Sequence, residues 1–251
     1  MLPGEIRMES AQTYLIQGRT VRMPVEVRDA STGVATYLVS ASVAQSLIPD
    51  GDFEVAHALP GRTPLALAVI DYRDNDLGDY NEVSITLFVR RRGAARGVPY
   101  LSTWIDWLRG RLGTYIYRLP VNQSFTCEAG RTIWGFPKTV ETIDFETHPN
   151  RVRCRLSMDG AHVLTLDLPR GGSRAMPETE ITTYTHIEGV AHATRAVQQG
   201  SGLGFSLGGT SLQLGAHPLA ETLRRLGLPR RAIACMWIEH LRARFEAPIK
   251  L

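Results

Sequence analysis

Apolar and polar positions alternate with a period of two along much of this chain, as they do in half-buried strands. TVRMPVEVRD alternates in this way from Val21 to Val27 and predicts a strand; DASTG then reads as a turn and VATYLV as the returning strand. SASVAQSLIP predicts a short helix that Pro49 ends, because proline cannot donate the next backbone hydrogen bond. TPLALAVIDYRD is a continuous apolar run of strand length, consistent with burial on both faces. NEVSITLFVR predicts a further strand that runs into Arg90, Arg91 and Arg92, a solvated strand end.

The period then changes. In YLSTWIDWLRGRLG, Trp104, Trp107, Leu108 and Leu112 recur near helical spacing, so Tyr100 to Gly113 predicts an amphipathic helix with Gly113 as its stop. The two tryptophans read as core or interface. TYIYRLPV returns to strand character. NQSFTCEAGRTIWG predicts a helix capped by Asn122 or Ser124 and broken by Gly135 and Pro137. TVETIDFET, RVRCRLSM and HVLTLDLP follow, separated by turn residues at Pro149–Asn150 and Asp159–Gly160, and predict an antiparallel meander. GSGLGFSLGGTSLQLG predicts a tight hairpin at Gly208–Gly209, HPLAETLRRLGLP a short helix, and RAIACMWIEHLRARFEAP a long final strand. No Pro- or Ser-rich linker divides residues 1–251, which predicts one domain of α+β class, predominantly antiparallel β.

Composition narrows the function classes. Apolar residues make up 43% of the 251 positions, enough for a packed core. A net charge of +3 is too small to predict a nucleic-acid binder or a polybasic membrane anchor. No apolar run approaches the roughly 20 residues that span a bilayer, and MLPGEIRMES lacks the apolar region of a signal peptide. The expectation is a soluble protein of a reducing cytoplasm. Cys127, Cys154 and Cys235 are scattered without CxxC spacing, so neither a disulfide framework nor a structural zinc site is expected. Cys127 has no nearby basic partner to make it a nucleophile. His186 and His192 fall in a strand-to-loop region and read as ordinary polar or core histidines rather than metal ligands.

The basic residues carry a sharper message. Of 28, only Lys138 and Lys250 are lysine. Lys138 follows Trp134, Gly135, Phe136 and Pro137. Two readings are open for it. An amine held among aromatics loses hydration, its pKa falls, and the neutral form attacks a carbonyl to give a Schiff base. The other reading is an ordinary surface lysine after a Phe-Pro turn.

GRTIWGFPKTVETI resembles the active-site segment of the acetoacetate decarboxylase family, which runs approximately GRE, three residues, then G/A-F/Y-PKK. Upstream, DLGDYNEVSI resembles the family's LG-x-Y-x-E segment, in the same order and at similar spacing. With SASVAQSLIP, the resemblance spans roughly residues 20 to 150. It implies a cone-like sheet or barrel with flanking helices, in a homo-oligomer. It implies a Schiff-base carboxy-lyase acting on a small keto acid, by decarboxylation of a β-keto acid, with no metal or organic cofactor, since the lysine itself is the electron sink. Lys138 falls on the Schiff-base lysine and Glu82 on a glutamate that positions substrate and handles protons. Arg28, or failing it Arg22, falls nearest the arginine that faces the substrate carboxylate, and Trp134 and Phe136 would dry the pocket. Two positions depart from the pattern: Thr139 stands where a second lysine follows the reactive one, and Leu67 stands where a second glutamate is expected. These departures leave open an aldolase, dehydratase or cyclase of the same superfamily, or a non-catalytic keto-acid-binding relative.

Overall fold

The computed structural model describes residues 12–49, 51–94 and 97–251; the MLPGEIRMES segment lies outside them. The described residues form β1 (Thr13–Ile16), β2 (Arg19–Arg22), β3 (Val25–Ser40), α1 (Ala41–Gln45), β4 (Phe53–Val55), β5 (Arg62–Asn75) and β6 (Tyr80–Arg91). Then come α2 (Leu101–Leu108), β7 (Gly113–Val121), α3 (Ser124–Trp134), β8 (Lys138–Val140), β9 (Thr142–His148), β10 (Arg151–Met158) and β11 (Ala161–Pro169). The chain continues through β12 (Arg174–Ile187), β13 (Val190–Ser206), β14 (Ser211–Leu214), α4 (Pro218–Leu226), β15 (Ala234–Phe245) and β16 (Ile249–Lys250).

The main sheet runs β6-β5-β3-β15-β13-β12-β7 and closes where β7 pairs back onto β6, giving a seven-stranded barrel. Its pairs are antiparallel except β7 with β12, and β8 adds to β7 in parallel. Closure removes the sheet edges, and where the outer face is covered as well a strand carries two apolar faces. This explains TPLALAVIDYRD. On β5, Leu65, Leu67 and Val69 face a core outside the barrel, whereas Ala66, Ala68 and Ile70 face a cavity inside it. The outer core is covered by the four-stranded sheet β14-β11-β10-β9 and by α1 and α4, through Leu156, Leu164, Leu166, Leu168 and Leu223. A second core wraps α3 with the β1–β2 hairpin, through Ile16, Val21, Phe125 and Ile133.

The structure corrects several expectations. DASTG is not a turn: β3 runs unbroken through it, and the strand break falls instead at Met23–Pro24, between β2 and β3. Gly33 sits there for contact. A Cβ on it would stand 2.7 Å from Leu168 Cδ1, so glycine lets the four-stranded sheet seat against the barrel. Gly208–Gly209 is not a hairpin either. Both have positive φ, and β14 pairs with β11 rather than with β13, so these glycines carry the chain from the barrel to the smaller sheet. The α2 helix ends at Leu108, and Gly113 opens β7, where the Tyr184 ring leaves no room for a Cβ. Gln123 caps α3, accepting from the Thr126 amide, while Asn122 accepts from Asn81. Arg90 is ion-paired to Asp106 at 2.8 Å rather than free in solvent. The β12–β13 hairpin, which the sequence reading left largely undrawn, supplies two barrel strands.

Leu67 is fully buried in the outer core and not in the cavity, so its replacement tests packing rather than chemistry. Leu67→Ala is expected to cost about 2–5 kcal/mol, read as a lowered urea midpoint at unchanged slope.

Candidate active site

The local sequence around Lys138 brings the amine inside. The α3 helix ends at Gly135, whose φ of 66° is the left-handed stop that an L side chain resists. Phe136 and Pro137 then turn the chain so that Lys138 begins β8, paired with Leu119 of β7. From there the side chain passes under α3 and is 4% exposed. On α3, Thr126 and Gly130 are four residues apart and share one face. A Cβ on Gly130 would lie 2.6 Å from Lys138 Cδ and 2.7 Å from Cε, so this glycine leaves a channel for the lysine stem.

Lys138 Nζ meets Glu82 Oε2 at 2.8 Å. It also donates to Thr126 Oγ1 at 3.1 Å and lies 4.9 Å from the centre of the Tyr80 ring. Tyr80 stacks on Tyr72 at 4.4 Å, and the Tyr72 hydroxyl donates to Glu82 Oε1 at 3.4 Å. Glu82 is 6% exposed. Burial, and then the Glu82 carboxylate, push the Tyr72 phenol well above its ordinary value, so it stays protonated and able to donate. The amine differs from the sequence expectation. Burial pushes Lys138 down, as its aromatic neighbours foretold, but the charges of Glu82 and Tyr80 and their hydrogen bonds push it up further, and the net direction is up. At rest the site is an ammonium–carboxylate pair.

The pair opens on a cavity of about 310 Å³ inside the barrel, within the range of small-molecule sites. Cross-strand pairing orders its wall into rings. Glu82 stands level with Ile70, Thr32 and Ile238; the next ring is Ser84, Ala68, Val34 and Met236; beyond it lie Thr86 and Ala66. The first ring is buried, whereas Val34, Ala68 and Met236 are half-buried. Trp134 and Phe136, stacked at 5.5 Å, also line the cavity.

The arginines are not brought to the site. Arg28 points to the outer face of β3, half-exposed and ion-paired to Asp74 and Asp76 at 2.8 and 2.6 Å. Val27 on the same strand faces inward, so the period-two alternation puts Arg28 on the wrong side. Arg22 is exposed on β2. Among the described residues, none of the arginines lines the cavity, and Glu82 is its one carboxylate. Thr139 is adjacent to Lys138 but turned away from the lining. Thr126, Tyr72 and Gly130 were missed by sequence reasoning; the i, i+4 spacing of Thr126 and Gly130 ahead of the lysine was the available signal. His186 hydrogen-bonds Asp52 at 3.2 Å and packs on Phe53, while His192 bonds the Val190 carbonyl. Among the described residues no group of three or more His, Cys, Asp or Glu is arranged to hold a metal, and no helix is long and apolar enough to cross a membrane.

The structure is a closed barrel with a buried lysine–glutamate pair on its inner wall. The family follows from the sequence: residues 13–243 match the acetoacetate decarboxylase family, and the chain belongs to it. No curated protein sequence matches the chain. Among solved structures, acetoacetate decarboxylase from Legionella pneumophila is similar at a TM-score of 0.65 and 15% identity, over 91% of this chain and 87% of that one. The enduracididine biosynthesis enzyme MppR complexed with pyruvate is similar at 0.58 and 14%, over 98% and 93%. An acetoacetate decarboxylase-like enzyme from Sphingomonas wittichii RW1 is similar at 0.59 and 16%, over 96% and 100%. At these identities the likeness shows the fold.

Two outcomes check the site. Gly130→Ala should drive the lysine stem off Glu82, lower Lys138-dependent carbonyl trapping at least tenfold and lower the melting temperature, because breaking the buried pair costs several kcal/mol and outweighs the roughly 1 kcal/mol by which alanine favours the helix. Arg28→Ala, a change to an exposed ion pair, should leave trapping within about twofold of the parent, since such pairs contribute ~1 kcal/mol or less.

Proposed function

We propose that this protein is a Schiff-base-forming lyase in which Lys138 is the nucleophile and Glu82 its proton acceptor. The observation that carries this reading is the 2.8 Å contact between the two side chains at the wall of an apolar cavity. The charged resting state is compatible with attack because the proton has somewhere to go. When a carbonyl compound displaces water around the pair, the Nζ proton passes to Glu82 and the neutral amine adds to the carbonyl carbon. The carbinolamine hydroxyl then takes that proton and leaves as water. The resulting iminium restores the original charge pattern: a cation at nitrogen facing the Glu82 carboxylate. Electrons of a bond one carbon removed flow into the iminium; when an aldol-type bond breaks, Glu82 takes the hydroxyl proton of the leaving fragment and returns it to the enamine, whereas after loss of carbon dioxide the enamine takes its proton from water.

Two reactions fit this sequence: decarboxylation of a small β-keto acid, and carbon–carbon or carbon–oxygen bond making and breaking of the aldol and dehydration kind. One observation favours the second. Among the described residues the lining has no arginine to hold a departing carboxylate, and Glu82 would repel it. Burying an unpaired carboxylate costs several kcal/mol, and each 1.4 kcal/mol is about tenfold in affinity.

Incubation with pyruvate, acetoacetate or a simple aldehyde, followed by borohydride and peptide mapping, should place the adduct on Lys138. An adduct on Lys250 or the N-terminal amine alone would sink the mechanism. This mapping uses the parent protein, because Lys138→Ala leaves Glu82 buried without its partner and is expected to cost about 3–5 kcal/mol. Trapping should also depend on pH with a definite sign. Glu82→Gln removes the largest upward push on Lys138, burial then dominates, and the rise of trapping with pH should move to lower pH; an unmoved profile would remove Glu82 from its role. Because the folded-state value of Lys138 is raised, its contribution to stability is in place at neutral pH and is lost as the pH rises above the ordinary lysine value and through the raised one.

A further inference from the structure

We propose that the cavity selects an uncharged, largely apolar carbonyl compound and discriminates against one that carries a carboxylate beside the carbonyl. The inference rests on Lys138 as the attacking amine and adds the class of compound offered to it. Three observations combine.

The first is charge. Lys138 and Glu82 neutralise each other at 2.8 Å, and among the described residues no other charged side chain lines the cavity. An anionic substrate would leave two negative groups sharing one ammonium in a dry site. If Lys138 instead held the substrate carboxylate as a counter-ion, its amine would be unavailable for attack.

The second is the wall. β5, β3 and β15 contribute Ile70, Ala68, Val34, Ile238 and Met236, an aliphatic surface interrupted by the hydroxyls of Thr32 and Tyr72 and offering an anion no cation. The small residues Ala66 and Ala68 leave space beside it. Cross-strand pairing places Phe205 beside Met236 and Val34 in the same row, and it is 60% exposed, so the apolar surface of that ring reaches solvent.

The third is the opposite wall, where β6, β7 and β12 present hydroxyls. Ser84 and Thr86 hydrogen-bond to each other at 2.6 Å, and Thr114 and Thr183 at 3.1 Å. In the Ser84–Thr86 pair one hydroxyl donates and the other keeps a donor in reserve, whereas Thr114 also donates to the Thr182 carbonyl at 3.2 Å, so that pair is satisfied. This strip starts one ring from Glu82, so it suits a neutral oxygen near the carbonyl, such as the hydroxyl of an aldol-type compound, better than a formal charge.

The test compares two compounds that differ in one group: heptyl methyl ketone, and the α-keto acid in which that methyl is replaced by a carboxylate. Binding to the parent protein is read without borohydride from tryptophan fluorescence, Trp134 being in the wall. Adduct formation on Lys138 is read separately after borohydride. The ketone should bind at least tenfold more tightly than the keto acid, and Glu82→Gln should shrink that ratio about tenfold by taking the fixed negative charge out of the cavity. Equal or tighter binding of the keto acid by the parent would overturn the inference while leaving Lys138 as the amine if both compounds still form the adduct. Selective binding of the ketone with no adduct on Lys138 would overturn the Schiff-base reading and leave the selectivity standing. A ratio that persists unchanged in Glu82→Gln would show that charge is not its cause, and would also overturn the inference.

Discussion

A buried ammonium and a buried carboxylate 2.8 Å apart set the terms for this fold. Neither charge is tolerable there alone, since taking an ion out of water costs several kcal/mol even after the protein relaxes. Their attraction offsets this only with tight geometry and with the remaining hydrogen-bonding capacity used. The surrounding elements provide that. Thr126 on α3 takes one ammonium hydrogen, Tyr72 on β5 gives its hydroxyl hydrogen to the other carboxylate oxygen, and Tyr80 on β6 brings its ring alongside. Each comes from a different element, so the pair holds its geometry only when β5, β6, β8 and α3 are all in place.

Barrel closure and a few close approaches put them in place. Glu82 projects inward because β6 lies between β5 and β7 with its inner face turned to the cavity, and Lys138 arrives from the strand added to β7. The two walls of β5 divide the work: Leu65, Leu67 and Val69 anchor the barrel to the four-stranded sheet, while Ala66, Ala68 and Ile70 leave the cavity open. Gly33 and Gly130 act alike at different interfaces. Each removes a Cβ where another side chain must come within 3 Å, one to seat a sheet and one to admit a lysine.

What could be read from sequence follows from what is local. Strand periodicity, the meander turns at Pro149–Asn150 and Asp159–Gly160, the Gly135 stop and the helix over Pro218–Leu226 are all set by neighbours in the chain, and the structure has them where the pattern put them. Lys138 and Glu82 were found because short motifs surround each, and the structure brings them together. Features that depend on distant contacts were not legible. Gly33 looks like a turn glycine until Leu168 is seen against it, and Gly208–Gly209 looks like a hairpin until β14 is seen on another sheet. Arg28 failed for a simple reason: an arginine's reach is ambiguous in a sequence, whereas the side of a strand it occupies is fixed by parity, and parity here is set by Val27 inside.

The raised Lys138 value is the point at which local and distant effects oppose each other. The aromatic segment before the lysine predicts desolvation, and desolvation is present, but the carboxylate from β6 outweighs it. An amine lowered by burial alone would wait as a free base and meet any carbonyl compound that entered. In the proposed reaction an amine held as an ion pair becomes nucleophilic only when its proton has passed to Glu82, so the carboxylate that quiets the lysine at rest would also enable it to react. With Thr139 rather than a second lysine next in sequence, no cation at that position assists in lowering the amine, and the proposed reaction would rely on moving one proton across 2.8 Å. That proton shift neutralises both partners, and it is easiest when the incoming molecule adds no charge of its own. The charge state of the resting pair and the neutral character of the compound it would accept are therefore two consequences of one arrangement.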